Sequence, residues 1–318
     1  MKKTIIFAPV VCIALYTVLA FLTPVVPSVA FLCALLLMLT GVFSIFRNSK
    51  MSLIAYNVVA VAVTFIVNKE IVFSLVYAMG YIASGFWLCY SLLKGKGGAH
   101  AIVTALVCVI MADYGSVALS NVFYGKPPFA FVDEMFAVLK PVVIEIVGQN
   151  AETLKIQNAE QFFNMYEMAV RMILPSVIII IELIKTIVLT FLTKVVVNRV
   201  LKGVAIDLKF SEFKADGVTV FVFFLSALIS MFAGDSVIAV VFSNLYTILN
   251  IVLMLCGMSL LDWYLREKQH VKIFFRFLIL SVVGILSLLP VLSVILVVAA
   301  LIDARRNFRN IGVITQDK

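Results

Sequence analysis

Three ionisable residues stand inside stretches that otherwise suit hydrocarbon. Glu182 and Lys185 interrupt the run IIIIELIKTIV at 178–188, and Asp113 interrupts VIMADYGSVALS at 109–120. Residues three apart share one face of a helix, so Glu182 and Lys185 can pair with each other. Pairing lowers the cost of such charges without removing it. A charge at mid-bilayer costs upwards of about 2.5 kcal/mol, and residues of this kind face a bundle interior or an aqueous cavity. The run therefore reads as a helix with one face turned away from lipid, carrying either a structural lock between helices or a ligand or ion pathway. Asp113 has no basic neighbour in sequence, so it either meets a partner such as Lys185 from another helix or is protonated and hydrogen-bonded.

The helix around Asp113 carries its own packing signal. Ala101, Ala105, Cys108, Ala112 and Ser116 recur at intervals of three and four, a small-residue stripe along which another backbone can approach closely. Asp113 lies about 100° around from Ala112 and so borders that stripe. Asn57, Asn244, Tyr246 and Asn250 add polar side chains within apolar stretches. Each alone is more often a helix-to-helix hydrogen bond than a ligand contact, and Asn57 and Asn250 are kept as candidates for the ligand or ion pathway.

These residues need a membrane bundle to position them. Of 318 residues, 64% are hydrophobic and 13% charged, and the mean hydropathy is +1.15, whereas soluble domains are near half apolar and a quarter charged. The pattern is that of an all-α, polytopic integral membrane protein, since period-2 barrel strands are not what the chain shows. Apolar length and punctuation place spans near 5–22, 26–46, 52–67, 71–93, 100–120, 171–193, 217–233 and 237–262. The stretch 273–302, interrupted by Gly284 and Pro290, is either one long tilted helix or two short ones.

Loop charge orients the spans, because short cytoplasmic loops are enriched in Lys and Arg. With the N-terminus inside, Lys2 and Lys3, Arg47 and Lys50, Lys94 and Lys96, the segment 194–214, and Arg266, Lys268 and Lys272 all fall on one side. Arg305, Arg306 and Arg309 join them if the final stretch is two short spans. That predicts about ten crossings with both termini cytoplasmic, in a multi-pass protein of the inner (plasma) membrane. The net charge of +8 then reflects topology and the anionic inner leaflet, not a nucleic-acid footprint. The chain divides into a five-helix half (1–120), an extracytoplasmic amphipathic insert (121–170), a second transmembrane half (171–304) and a basic cytoplasmic tail (305–318).

Within the insert, helical spacing between Phe129 and Val147 predicts an interfacial helix broken at Lys140–Pro141. Asn150 is the expected N-cap of a second helix leading into the next span. The insert is either a surface cap or a lid over an outward-opening cavity. Arg276, near the start of a span, is expected to snorkel to the interface. A signal-peptide reading of the first apolar run is disfavoured, because no soluble domain follows it. The five cysteines lack paired spacing, so neither disulfides nor a metal site is implied. No phosphate-binding loop, H-E-x-x-H or G-x-S-x-G occurs, so the chain is expected not to be an enzyme and to need no cofactor.

Three C-terminal segments carry a resemblance: LKFSEFKADGVTVFVFFL at 208–225, NLYTILNIVLMLCGMSLLDWYLREKQHVKIFFRFLIL at 244–280, and LPVLSVILVVAALIDARRNFRN at 289–310. They resemble the YybS-like family of bacterial membrane proteins, family 2232 of the domains of unknown function. Gly257 matches the glycine of the second motif, and Asp303 and Arg309 match the aspartate and arginine of the third. Phe213 with Ala215–Asp216 stands where the first motif has an aromatic and a proline. The resemblance implies distant similarity to substrate-binding subunits of energy-coupling-factor transporters, which bind a small solute and dock on a separate ATPase. A small-solute-binding or permease subunit is the expected function, with the bilayer, a solute and an ATPase or coupling subunit as partners. A scaffold recruiting cytoplasmic partners through basic loops, and an ion-coupled carrier using Glu182, Lys185 and Asp113, are the alternatives.

Overall fold

The computed structural model describes residues 2–26, 28–47, 50–94, 98–149, 158–200, 208–234, 236–287 and 289–309. Among these there is no strand. Long apolar runs become helices because only a helix satisfies every backbone group within its own segment where water is absent. The helices are α1 (Lys2–Ala20), α2 (Val29–Arg47), α3 (Lys50–Asn68), α4 (Ile71–Leu93), α5 (Gly98–Phe123), α6 (Ala130–Gln149), α7 (Ala159–Val200), α8 (Gly217–Phe232), α9 (Val237–Glu267), α10 (Ile273–Leu286) and α11 (Pro290–Arg306). Five of them, α2, α4, α5, α7 and α9, are long and apolar enough to cross a membrane. The α10–α11 pair, bent by 119°, makes a sixth if it counts as one broken span, and α1, α3 and α8 hold shorter apolar helices. The chain is thus a multi-pass, all-helical membrane protein.

Element boundaries follow the apolar runs closely, with two differences. The helix expected at 171–193 extends over 42 residues, Ala159–Val200, and starts where Asn158 Oδ1 accepts from the Glu160 and Gln161 amides at 3.0 Å each. The cap expected at Asn150 lies outside the described residues. In the insert, α6 continues unbroken through Pro141. A proline removes one intrahelical bond and orphans the carbonyl four residues earlier. Here that residue, Ala137, is exposed, so solvent can take up the freed group.

Contacts divide the chain into two units: Met1–Leu174 with Ile181–Asp207, and Pro175–Ile180 with Leu208–Lys318. In the first, α1–α5 pack around Leu37, Met38, Tyr16, Tyr81 and Ile82, with Leu189 of α7 joining the same cluster. Backbones here meet with nothing between them. A Cβ on Gly41 would sit 2.0 Å from the Ile82 carbonyl oxygen, and one on Gly85 would sit 1.8 Å from that of Met38. The predicted stripe on α5 performs this packing: Ala101, Ala105, Ala112 and Ser116 are fully buried, while Cys108 turns partly outward and Val109 takes the buried place. Opposite Ala112, a Cβ on Gly80 of α4 would come within 2.7 Å of its methyl group.

In the second unit, α9 meets α11 where Gly257 faces Leu296, whose carbonyl oxygen lies 2.1 Å from a Cβ built on the glycine. The stretch 273–302 resolves into two helices because Pro290 begins the second. A proline there fits the first helical turn, where its missing N–H is not needed.

Candidate functional site: an ionic triad at a π turn

Helix α5 does not keep its regular winding across the membrane. Met111–Gly115 form a π turn, one residue more than the α-helical count, a feature that concentrates at functional sites. Asp113 sits in this turn. Both of its carboxylate oxygens accept from the Tyr81 hydroxyl of α4, at 2.9 and 2.7 Å. Lys185 Nζ of α7 donates to Asp113 Oδ2 and lies 3.2 Å from Glu182 Oε2. The same ammonium stands 5.4 Å from the centre of the Tyr81 ring, within cation–π range. Three elements thus converge on one lysine.

Burial is graded within this triad. The Glu182 side chain is 4% exposed, whereas Lys185 and Asp113 keep 22% and 19%. Two carboxylates facing one ammonium leave a formal charge of −1 when all are ionised. Low-dielectric surroundings penalise such an excess.

A cavity of about 470 Å³ lies beside this cluster, lined among others by Tyr16, Thr23, Cys33, Thr64, Asn68 and Tyr77. Asp113 and Glu182 are not among its lining residues. Tyr77 is the link, because its ring meets that of Tyr81 edge-on at 5.1 Å. The insert also reaches the site's neighbourhood: Tyr114 of the π turn lies 6.4 Å, centre to centre, from Phe131 of α6. Helix α6 is held on α7 by Asp133–Arg171 at 2.7 Å, by Lys140–Glu160 at 3.1 Å and by the Phe136–Phe163 contact.

Of the predicted residues, the structure brings together Asp113, Glu182 and Lys185. Asn57 donates to the Leu53 carbonyl of its own helix at 2.9 Å. Asn250 lies half-buried on α9, in the second unit. Asn244 accepts from the Ser176 amide at 3.1 Å, a helix-to-helix bond next to Pro175. Tyr81 was not singled out from sequence, although a tyrosine four residues from another within a span was the available signal.

The second unit holds a different polar cluster. Arg309 is buried and donates to Asp303 Oδ2 at 2.7 and 3.1 Å, to the Ser211 and Phe213 carbonyls at 2.7 and 2.8 Å, and to Ser259 Oγ at 2.7 Å. An arginine read as part of a basic tail is therefore the centre of a largely buried junction. Arg276, near the start of α10, forms a two-pronged contact with the buried Asp262, at 2.8 and 3.2 Å.

Fold and site together define a multi-pass helical membrane protein with a charged cluster inside the bundle. The chain belongs to the family described as predicted membrane protein (DUF2232), whose profile matches residues 14–304. No match is found among curated proteins or among solved structures.

Proposed function

We propose that the protein binds a small polar solute within its N-terminal bundle and serves as a permease or substrate-binding subunit of the inner membrane. The observation that carries this reading is the Asp113–Lys185–Glu182 triad at a π turn, one tyrosine behind the wall of a cavity. A purely structural lock needs one carboxylate per ammonium. The second carboxylate and the adjoining hollow have a use only where something cationic or hydrogen-bonding enters. Charge in the loops supports about ten crossings with both termini cytoplasmic. In that orientation the cavity lies toward the exterior, at the α1–α2 and α3–α4 turns, and α6 is a lid candidate. The reading is non-enzymatic, and a separate ATPase or coupling subunit is one source of driving energy.

Native mass spectrometry of the protein in mild detergent, beside the Asp113→Asn variant, tests this directly. A small molecule that co-purifies with the native protein and is lost from the variant is the expected result. An equally empty monomer in both, or the same molecule retained by both, removes the triad from solute binding and moves the weight to a scaffolding role.

A further inference from the structure

Below the triad, α7 carries a column of unpartnered oxygens. Glu182, Thr186, Thr190 and Thr193 recur at intervals of four, four and three and so lie along one face of the helix. All four are buried, at 3%, 0%, 2% and 0% exposure. Each of the three hydroxyls lacks a hydrogen-bond partner. Glu182 Oε2, although 3.2 Å from the Lys185 ammonium, also lies outside hydrogen-bonding geometry. The opposite face, with Ile184, Val188 and Val195, is exposed and apolar, as lipid contact requires.

Unpartnered threonines are unusual in this molecule. A helical threonine ordinarily satisfies its hydroxyl on the carbonyl four residues back. Thr17, Thr40, Thr64 and Thr247 all do so, at 2.7–2.9 Å. Buried polar groups without a protein partner are characteristically met by ordered water.

We infer that the face Glu182–Thr186–Thr190–Thr193 is a water-bridged proton path from the ionic triad toward the Lys194–Arg199 end of α7. The spacing decides between a path and a cage. Residues four apart on a helix are about 6 Å apart along its axis. Two hydroxyl-to-water bonds of about 2.7–2.8 Å span nearly that distance, so one water fits between successive threonines. A hard divalent cation takes about six or more oxygens converging on one point, which a linear file cannot supply. Hydroxyls both donate and accept, so each passes a proton onward as it receives one and none is consumed. From Glu182 to Thr193 the file covers about 16 Å, roughly half the hydrocarbon thickness.

Around Glu182 the charged and titratable groups are Lys185 on its own helix, Asp113 and Tyr114 from α5, and Tyr77 and Tyr81 from α4. The inference rests on the solute-binding reading for its purpose and makes the driving force a proton gradient. Its physical content, water along α7, stands or falls separately.

Cysteine accessibility tests the water file, because the thiolate form that reacts exists only where water reaches. Thr186→Cys, Thr190→Cys and Thr193→Cys are treated with aminoethyl methanethiosulfonate, with Val188→Cys and Val195→Cys as lipid-face references and the five native cysteines as baseline. Modification at least tenfold faster at the three file positions is expected, and rates equal to the references overturn the path. Proton entry is then followed with an internal pH dye in phosphatidylcholine–phosphatidylglycerol vesicles under a potassium diffusion potential. Thr190→Val should lower the flux tenfold or more, and Thr190→Ser, which keeps the hydroxyl, should restore it. Flux no greater than in protein-free vesicles, or unchanged in Thr190→Val, overturns the proton role. Solute retained by Thr190→Val in native mass spectrometry leaves the solute-binding reading intact even then.

Discussion

Replacing Arg309 with methionine keeps much of the side chain's length and removes every hydrogen bond it makes. The Asp303 carboxylate, 1% exposed, is then left in the interior without its counter-charge. The Ser211 and Phe213 carbonyls lose their donors as well. Removing one member of a buried ion pair costs about 3–5 kcal/mol, whereas replacing both by apolar groups is often neutral. Orphaned polar groups cost about 1–3 kcal/mol each, and two carbonyls stay orphaned in either variant. Arg309→Met is therefore expected to lose at least about 3–5 kcal/mol, and Asp303→Leu/Arg309→Met to recover about half of that loss. At about 2–4 °C per kcal/mol for chains of this order of size, the single variant should unfold roughly 10 °C below the native protein. Unfolding midpoints in detergent, read by the loss of the monodisperse peak after heating, measure this. A single variant within a degree of the native protein, or a double variant as damaged as the single, refutes the claim that this pair organises the second unit.

Other expectations come from the same geometry. Gly85→Ala puts a methyl group 1.8 Å from a backbone oxygen that cannot rotate away, so α2 and α4 must separate. The unfolding midpoint should fall by the equivalent of about 1–3 kcal/mol or more. Lys185→Met leaves two carboxylates facing each other and should reduce the yield of folded protein, with Glu182→Gln/Lys185→Met recovering it; equal yields for all three refute the charge count. Asp216 caps α8 by accepting from the Thr219 amide at 2.7 Å, and the Thr219 hydroxyl first, then that amide, hold its carboxyl below the ordinary value of 3.8. Its stabilisation is complete above pH 3.8 and disappears as the pH falls through the lower, folded value. Asp216→Ala should cost about 0.5–2 kcal/mol at neutral pH. Asp216→Asn, which still caps, should keep the stability and lose its acid dependence, measured as unfolding midpoints at pH 7 and pH 3.

The parts of this molecule legible in the sequence are those set by solvent and by period. Apolar run length located the helices. The interval of three joined Glu182 to Lys185, and the small residues on α5 marked a close approach. The demand that a buried charge find its opposite pointed Asp113 toward Lys185. What stayed hidden depends on a register change or on the chain folding back. Counting at 3.6 residues per turn cannot see a π turn, because the inserted residue alters no composition. Asp113 sits in that turn and meets Tyr81, and before the turn Cys108 gives up its place on the stripe to Val109.

Arg309 shows the deeper limit of reading charge as topology. In sequence it is one of three arginines flanking a span, and Arg305 and Arg306 are indeed exposed. Only the left-handed turn at Asn307, φ 48°, brings the third back onto Asp303. The three segments that carry the family resemblance then meet at this one junction: Ser211 and Phe213 from the first, Ser259 from the second, Asp303 and Arg309 from the third. The guanidinium's bonds there are all made to protein atoms, so this junction has the character of a fastening, although Asp303 Oδ1 and Ser211 Oγ beside it have no partner. The triad on α5 and α7 differs in charge, with one carboxylate in excess, and has a cavity beside it. Residues that make a protein recognisable and residues that let it act need not be the same ones. Here the junction and the proposed site fall in different units of the chain, and both hold buried oxygens without a partner, so what sets the proposed site apart is its uncompensated carboxylate and the cavity near it.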